Sequence, residues 1–221
     1  MEYILRKFIH ELRNPLTALY STVQLLELQH SELKEVKYWP NLRYNIENTI
    51  RLINDFSDFT KSDTLDLEEI DAESFFKQLS LAFAAYIADS EVEYSSKINI
   101  INFKITGDKT KLQEVFWNLL KNAYEATVPK GQIRLTVAEK RDRIQVLIED
   151  TGCGISDEEM SRIFEPFVTF KKNGTGLGLP ICRQIIQSHH GFIEVTSKVN
   201  VGSLFSVELP AKQPCCQKSY N

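Results

Sequence analysis

The stretch IEDTGCGISDEEMSRIFEPFVTFKKNGTGLGLPI, residues 148–181, decides the fold. It opens on an apolar strand end that stops at Asp150, turns through Gly152 and Gly154, and reaches Ser156 with Glu159 three positions later. Serine at a helix N-cap and glutamate at its third position make a capping box, so a short helix is expected there. A second glycine set, Gly174, Gly176 and Gly178, surrounds the start of another helix, expected over residues 176–190 with Pro180 in its first turn and Gly191 ending it. The unsatisfied backbone N–H groups and the dipole at such a start favour phosphate.

Working outward, residues 133–137 and 144–148 alternate as two strands joined at Arg141 and Asp142. Ahead of them Asp108 caps a helix on which Asn118 and Asn122, four apart, share one face. Residues 72–88 make an amphipathic helix, and residues 98–105 carry strand-like alternation with β-branched side chains. Residues 192–196 and 203–209 close with a hairpin. Over residues 67–211 the expected fold is an α+β one, an α/β sandwich with a mixed sheet and helices on one face. A polar tail, residues 212–221, is expected to be disordered.

The first 62 residues read differently. Ile4, Phe8, Leu12, Leu16, Leu19, Val23 and Leu26 repeat every three or four positions, and Leu42, Ile46, Ile50, Ile53 and Phe56 do much the same. Residues 29–39 are polar enough for a connecting loop, Pro40 suits the first turn of the second helix, and residues 60–66 form a polar linker. Two amphipathic helices make half of a bundle, and pairing into a dimeric four-helix bundle is the economical way to bury the apolar stripe. The chain is therefore multidomain, all-α and then α+β.

On a helical wheel His10 points away from that stripe, with Glu11 beside it and Asn14 one turn later on the same outer face. A neutral imidazole nitrogen near physiological pH is a competent nucleophile towards a phosphoryl group. Glu11 can take the proton that the ring loses or hold the tautomer that exposes the attacking nitrogen. Pro15 removes a backbone donor just beyond and is expected to bend the helix.

Composition bounds the rest. At 221 residues, 43% apolar and 25% charged, there is room for one large domain or two smaller ones. A formal charge of -4 gives no basic footprint for nucleic acid. The longest apolar stretch, residues 81–88, falls far short of the roughly 20 residues of a membrane span, and no cleavable signal opens the chain, so a cytoplasmic protein without membrane contact is expected. Cys153, Cys182, Cys215 and Cys216 show neither a disulfide framework nor zinc spacing, and reduced thiols are expected. His189 and His190, near a helix end, suit the helix dipole, and Trp39 and Trp117 suit packing.

Five motifs in one order, FIHELRNPL at 8–16, NLLKNA at 118–123, DTGCG at 150–154, FEPF at 164–167 and GTGLG at 174–178, resemble the core of a sensor histidine kinase. The spelling NAYEA and the short lid are similar to the nitrogen-regulatory and sporulation branch. The resemblance implies a Bergerat-type ATP site. Asp150 then accepts the adenine amino group, Gly152 and Gly154 let the backbone pass close to the base, and Ser203 supports the aspartate. Asn118 and Asn122 line the site, with Asn122 as an oxygen ligand of Mg²⁺. Gly174, Thr175, Gly176, Leu177 and Gly178 form the phosphate loop, and residues 164–173 the movable lid with Lys172 reaching the phosphates. The family pairs as homodimers, autophosphorylates a histidine, here His10, and passes the phosphoryl group to an aspartate of a response-regulator receiver domain. The Glu11 and Asn14 spacing resembles the pattern used to dephosphorylate that regulator.

Two departures stand out. Many family members carry a basic residue where this chain has Glu125, with Lys121 and Lys172 as candidates to compensate. Only nine residues precede His10, which fits either a core of a longer sensor or an orphan kinase served by a separate sensor or regulatory protein. Two other classes compete. An ATP-driven conformational machine needs a water-activating glutamate where this chain has Asn118. A non-catalytic scaffold or phosphotransfer protein that has lost ATP binding normally shows eroded asparagines, aspartate or glycines, and here they are intact, which leaves a kinase-silent phosphatase or ATP-binding scaffold of the same fold as the alternative.

Overall fold

A computed structural model describes residues 2–61, 65–171 and 174–211, with the backbone alone for residues 2–8, 10 and 58–61. Lys172 and the tail at 212–221, including Cys215 and Cys216, lie outside the described residues. The chain divides into two units, Met1–Lys61 with Pro166–Gly178 and Ser62–Glu165 with Leu179–Asn221.

In the first unit, helices α1 (Glu2–Gln29) and α2 (Trp39–Lys61) form the expected hairpin, and α1 runs on through Pro15. The connection is more ordered than a polar loop: Ser31–Glu35 wind into a 3₁₀ turn. Polar side chains clamp this end of the hairpin. Trp39 donates its indole N–H to Glu27 at 2.8 Å, and Arg43 bridges Glu27 at 3.2 Å and Glu47 at 2.9 Å. Tyr20 donates to Glu47 at 3.1 Å. Trp39 is thus a hydrogen-bonding strut as well as a packing residue. Among the described side chains of α1 only Ile9 and Val23 are buried, while Leu12, Leu19 and Leu26 of the predicted stripe stay 38%, 53% and 36% exposed. In the same unit the Phe167 N–H bonds to the Gly176 carbonyl at 3.0 Å, and the Phe167 ring meets Phe56 of α2 at 5.9 Å between centroids.

The second unit is a sheet in the order β2-β4-β5-β7-β6: β2 (Glu91–Asn99), β4 (Lys130–Lys140), β5 (Arg143–Asp150), β7 (Gly202–Pro210) and β6 (Phe192–Lys198). The β2–β4 pair is parallel and the others antiparallel, which makes the mixed sheet that was expected. One face carries a row from Ile144, Val146 and Ile148 of β5 and Phe205, Val207 and Leu209 of β7, all buried, with helix α4 (Lys109–Thr127) packed on both strands and helix α3 (Ala72–Tyr86) packed on β2 and α4. Phe76, Phe83 and Phe116 fill the helix–sheet space, with Phe76 and Phe116 edge-on at 4.9 Å. Trp117 packs against Phe83 and Tyr86.

Several boundaries differ from the sequence reading. The single strand expected at 98–105 is two: β2 ends at Asn99, and β3 (Lys104–Gly107) pairs with a short β1 (Glu68–Asp71) in a separate two-stranded sheet. β1 and the start of β2 bury only Ile70 and Val92 between acidic residues, so little apolar alternation marks them. Helix α6 (Gly178–Ser188) starts two residues later than predicted because Gly176 sits at φ 69°, outside helical space. It ends with His190 in the left-handed conformation, while the Gly191 N–H caps the Ile186 carbonyl at 2.8 Å. The predicted capping box of Ser156 and Glu159 opens α5 (Asp157–Met160).

His189 also corrects its reading. It is 1% exposed, its Nδ1–H donates to the Ile185 carbonyl at 2.7 Å and its Nε2 accepts the Asp108 N–H at 2.9 Å. With one nitrogen donating and the other accepting, the ring is neutral. Burial lowers its pKa, so it acts as a hydrogen-bonding tie and not as a cation on the helix dipole.

Candidate active site

The core-facing row of the sheet ends in polar residues. On β5 the sequence Ile144, Val146, Ile148, Asp150 keeps one phase, so Asp150 points into the same face as the apolar core and is 4% exposed. Opposite it in register stands Ser203 of β7, 6% exposed. A buried carboxylate costs several kcal/mol unless donors surround it. Here the Gly152 N–H donates to Asp150 Oδ1 at 2.8 Å, and the polar groups of Ser203 beside it favour the charged form as well. Burial raises the Asp150 pKa from its ordinary value, and these groups pull against that rise. The result is a constrained acceptor at the open end of a strand.

The loop after Asp150 is fastened to the last turn of α4. Cys153 N–H bonds to the Ala126 carbonyl at 3.1 Å, and a Cβ at Gly152 would overlap that same carbonyl. Gly154, at φ 70°, leaves no room for a Cβ beside the Lys198 carbonyl. Both glycines are thus required by the protein's own close packing, whatever they allow a base to do. The Cys153 thiol is exposed and free, while Cys182 is free and buried, with its thiol pKa pushed up by desolvation.

One turn before Ala126 on α4, Asn122 donates Nδ2 to Asn118 Oδ1 at 3.2 Å. The helical spacing predicted this shared face, and the contact orients the Asn122 carboxamide, directing its oxygen the other way. Such an oxygen suits Mg²⁺, which takes one or two protein oxygens and completes its shell with phosphates and water. Lys121, a candidate to replace a missing basic residue, lies 3.9 Å from Glu125, so the two charges offset each other on the surface. The structure brings Asp150, Ser203, Gly152 and Gly154 together, and the Asp150 loop joins the turn of α4 beyond Asn118 and Asn122.

The remaining predicted residues belong to the first unit. Gly174 to Leu177 precede α6 and Gly178 opens it, with Leu177 fully buried and its N–H reaching the Thr175 hydroxyl at 3.4 Å. His10, Glu11 and Asn14 lie within one turn of α1, and Glu11 and Asn14 are exposed. The expectation for the His10 side chain falls outside the described residues. Sequence reasoning missed Ser197, whose hydroxyl contacts Ser203 at 2.9 Å and accepts the Ile155 N–H at 2.8 Å. Its phase on β6, two residues after Val195, was the available signal.

Comparison with known proteins matches both halves. Residues 4–65 match the His Kinase A (phospho-acceptor) domain, and residues 107–213 match the histidine kinase-, DNA gyrase B- and HSP90-like ATPase. Sporulation kinase B of Bacillus subtilis is 33% identical over 211 residues, which cover 93% of this chain and 48% of that protein, so the chain spans about half its length. Full-length ShkA, solved with AMPPNP, superposes with a TM-score of 0.81 at 26% identity over 95% of this chain and 46% of that one. The catalytic domain of histidine kinase ThkA, solved nucleotide-free, gives a TM-score of 0.62 at 30% identity over 67% of this chain and 97% of that one. No helix among the described residues is long and apolar enough to cross a membrane. With a phosphoacceptor hairpin and a mixed-sheet ATPase domain in this order, the chain belongs to the sensor histidine kinases.

Proposed function

We propose that this chain is an ATP-dependent protein histidine kinase that acts in the cytoplasm as a homodimer. Residues 1–62 serve as the dimerisation and phosphoacceptor domain and residues 67–211 as the ATP-binding domain. The observation that carries the reading is Asp150, a buried carboxylate held at a strand end by the Gly152 N–H beside Ser203, in a chain that also carries a phosphoacceptor domain.

Asp150 accepts the exocyclic amino group of adenine, with Ser203, Gly152 and Gly154 shaping that pocket. Gly174, Thr175, Gly176, Leu177 and Gly178 offer backbone N–H groups to the phosphates ahead of α6. Asn122 would hold Mg²⁺, oriented by Asn118, and the ion when bound supplies neutralisation of phosphate charge. His10 attacks the γ-phosphorus through a neutral ring nitrogen, the bond to the β-phosphate oxygen breaks, and ADP leaves. Glu11 takes the proton released from the ring. The phosphoryl group then passes to an aspartate of a response-regulator receiver domain, and Asn14 with Glu11 can orient water for the reverse duty of removing it. The exposed Leu12, Leu19 and Leu26 support pairing of two hairpins, which would bury them.

Incubation with Mg²⁺ and γ-labelled ATP tests this reading. Acid-labile, base-stable label on wild type, absent from His10→Gln and Asn122→Ala, is the expected result. Bound ATP with no label on the wild-type protein would contradict it.

A further inference from the structure

Three adjacent strands end their core-facing rows in hydrogen-bonding side chains: Asp150 on β5, Ser203 on β7 and Ser197 on β6. Ser197 follows Ile193 and Val195 in phase and stands opposite Ser203 in register. Its hydroxyl makes three contacts. It accepts the Ile155 N–H at 2.8 Å, lies 2.9 Å from the Ser203 hydroxyl, and lies 2.8 Å from the Gly202 carbonyl. Ile155 belongs to the loop that follows Asp150, so Ser197 touches both the loop and the serine that frame the carboxylate.

Ser197 is fixed from three sides. Its hydroxyl donates to the carbonyl of Gly202, the residue just before Ser203, its oxygen accepts the Ile155 N–H, and it shares a hydrogen bond with the Ser203 hydroxyl. Ser203 stands opposite Asp150 in register, and its polar groups work against the rise that burial imposes on the Asp150 pKa. Ser197 thus ties the loop after Asp150 to the serine beside the carboxylate, and removing its hydroxyl frees both.

We infer that Ser197 is a positioning residue for base recognition, which holds the Ser203 hydroxyl and the Ile155 loop so that Asp150 presents its carboxylate to the adenine amino group. The inference rests on the proposed role of Asp150 as the adenine acceptor. Ser197 does not itself touch the base; it acts through Ser203.

The test compares ATP with purine riboside triphosphate, which lacks only the 6-amino group, by calorimetric binding in Mg²⁺. The ratio of the two dissociation constants reports the amino contact alone, whereas a general loosening of the pocket weakens both ligands together. Loss of this tie is expected to lower this ratio about five- to tenfold in Ser197→Ala. Ser197→Thr, which keeps the hydroxyl, should restore it to within about twofold of wild type. If Ser197→Ala does not fold, Ser197→Cys, with only a weak donor, reads the same ratio. Asp150→Ala should abolish discrimination altogether. Should Asp150→Ala keep the wild-type ratio, the adenine reading falls and this inference with it. A collapse in Asp150→Ala beside an unchanged ratio in Ser197→Ala, or no rescue by threonine, overturns the role of Ser197 alone.

Discussion

The Nε2 atom of His189 accepts the backbone N–H of Asp108 at 2.9 Å across 81 residues of sequence. The Asp108 carboxylate in turn caps α4 through the Lys111 N–H at 3.0 Å and takes the Asp66 N–H at 3.1 Å. One buried cluster thus fastens the end of α6, the start of the asparagine-bearing helix and the point where the chain enters the second unit. Gly107 makes the approach possible, since a Cβ there would lie 3.0 Å from the imidazole.

This tie predicts a pH dependence. Burial holds the His189 pKa below the ordinary 6.5, so below that pH the unfolded chain takes up a proton that the folded chain refuses. Stability is complete above about pH 6.5 and falls as the pH drops through the folded-state pKa. Urea midpoints at pH 7.5 and 5.5 should differ more for wild type than for His189→Phe. At pH 7.5 that variant should itself lose roughly 1–3 kcal/mol, because the Asp108 N–H is left buried without an acceptor. Equal pH slopes in both proteins would contradict the assignment.

Gly202 predicts a large local cost. It adopts φ 131°, and a Cβ there would overlap the Asp150 carbonyl oxygen. Gly202→Ala should cost about 2 kcal/mol or more from strain and overlap, lowering the thermal midpoint by roughly 4–8 °C. Calorimetry checks it, and an unchanged midpoint would show that the β5–β7 contact is looser than described.

Much of this was legible in the sequence, for local reasons. The alternation Ile144, Val146, Ile148 carries Asp150 in its phase, and the spacing of Asn118 and Asn122 fixes a shared helix face that the 3.2 Å contact bears out. The caps at Asp108 and Ser156 are local too, and both form as read. What escaped depends on partners far along the chain. Nothing near His189 announces Asp108, and nothing near Ser197 announces Ser203 until β6 and β7 are paired. The acidic run at Glu68–Asp71 becomes a strand only because Lys104–Gly107 pairs with it. Residues 100–103 lie between β2 and β3, where an alternating reading ran straight on.

The exposed leucines predict the oligomeric state. Leu19, 53% exposed midway along α1, would be covered if two hairpins pair. Leu19→Asp places a charge in that seam and should shift sedimentation from dimer towards monomer while leaving helicity unchanged. A wild-type monomer at micromolar concentration would remove the homodimer from the account.

Asn118 predicts an indirect effect. Asn118→Leu keeps the side-chain volume but takes away the acceptor that orients Asn122. Outer-shell partners of this kind typically affect metal affinity or activity by about 10–100-fold. Label incorporation from ATP, followed against Mg²⁺ concentration, should show a higher Mg²⁺ requirement in the variant. An identical Mg²⁺ titration would mean that Asn118 does not act through Asn122.

The most direct measurement locates the phosphate. Wild-type protein incubated with Mg²⁺ and ATP should yield, by electron-transfer mass spectrometry of a neutral or basic digest, a single phosphorylated peptide with the group on His10. The same peptide should stay unmodified in Asp150→Ala and Asn122→Ala. Phosphate on another residue, or on His10 in both site variants, would contradict the account of a histidine kinase whose ATP is held by α4 and Asp150.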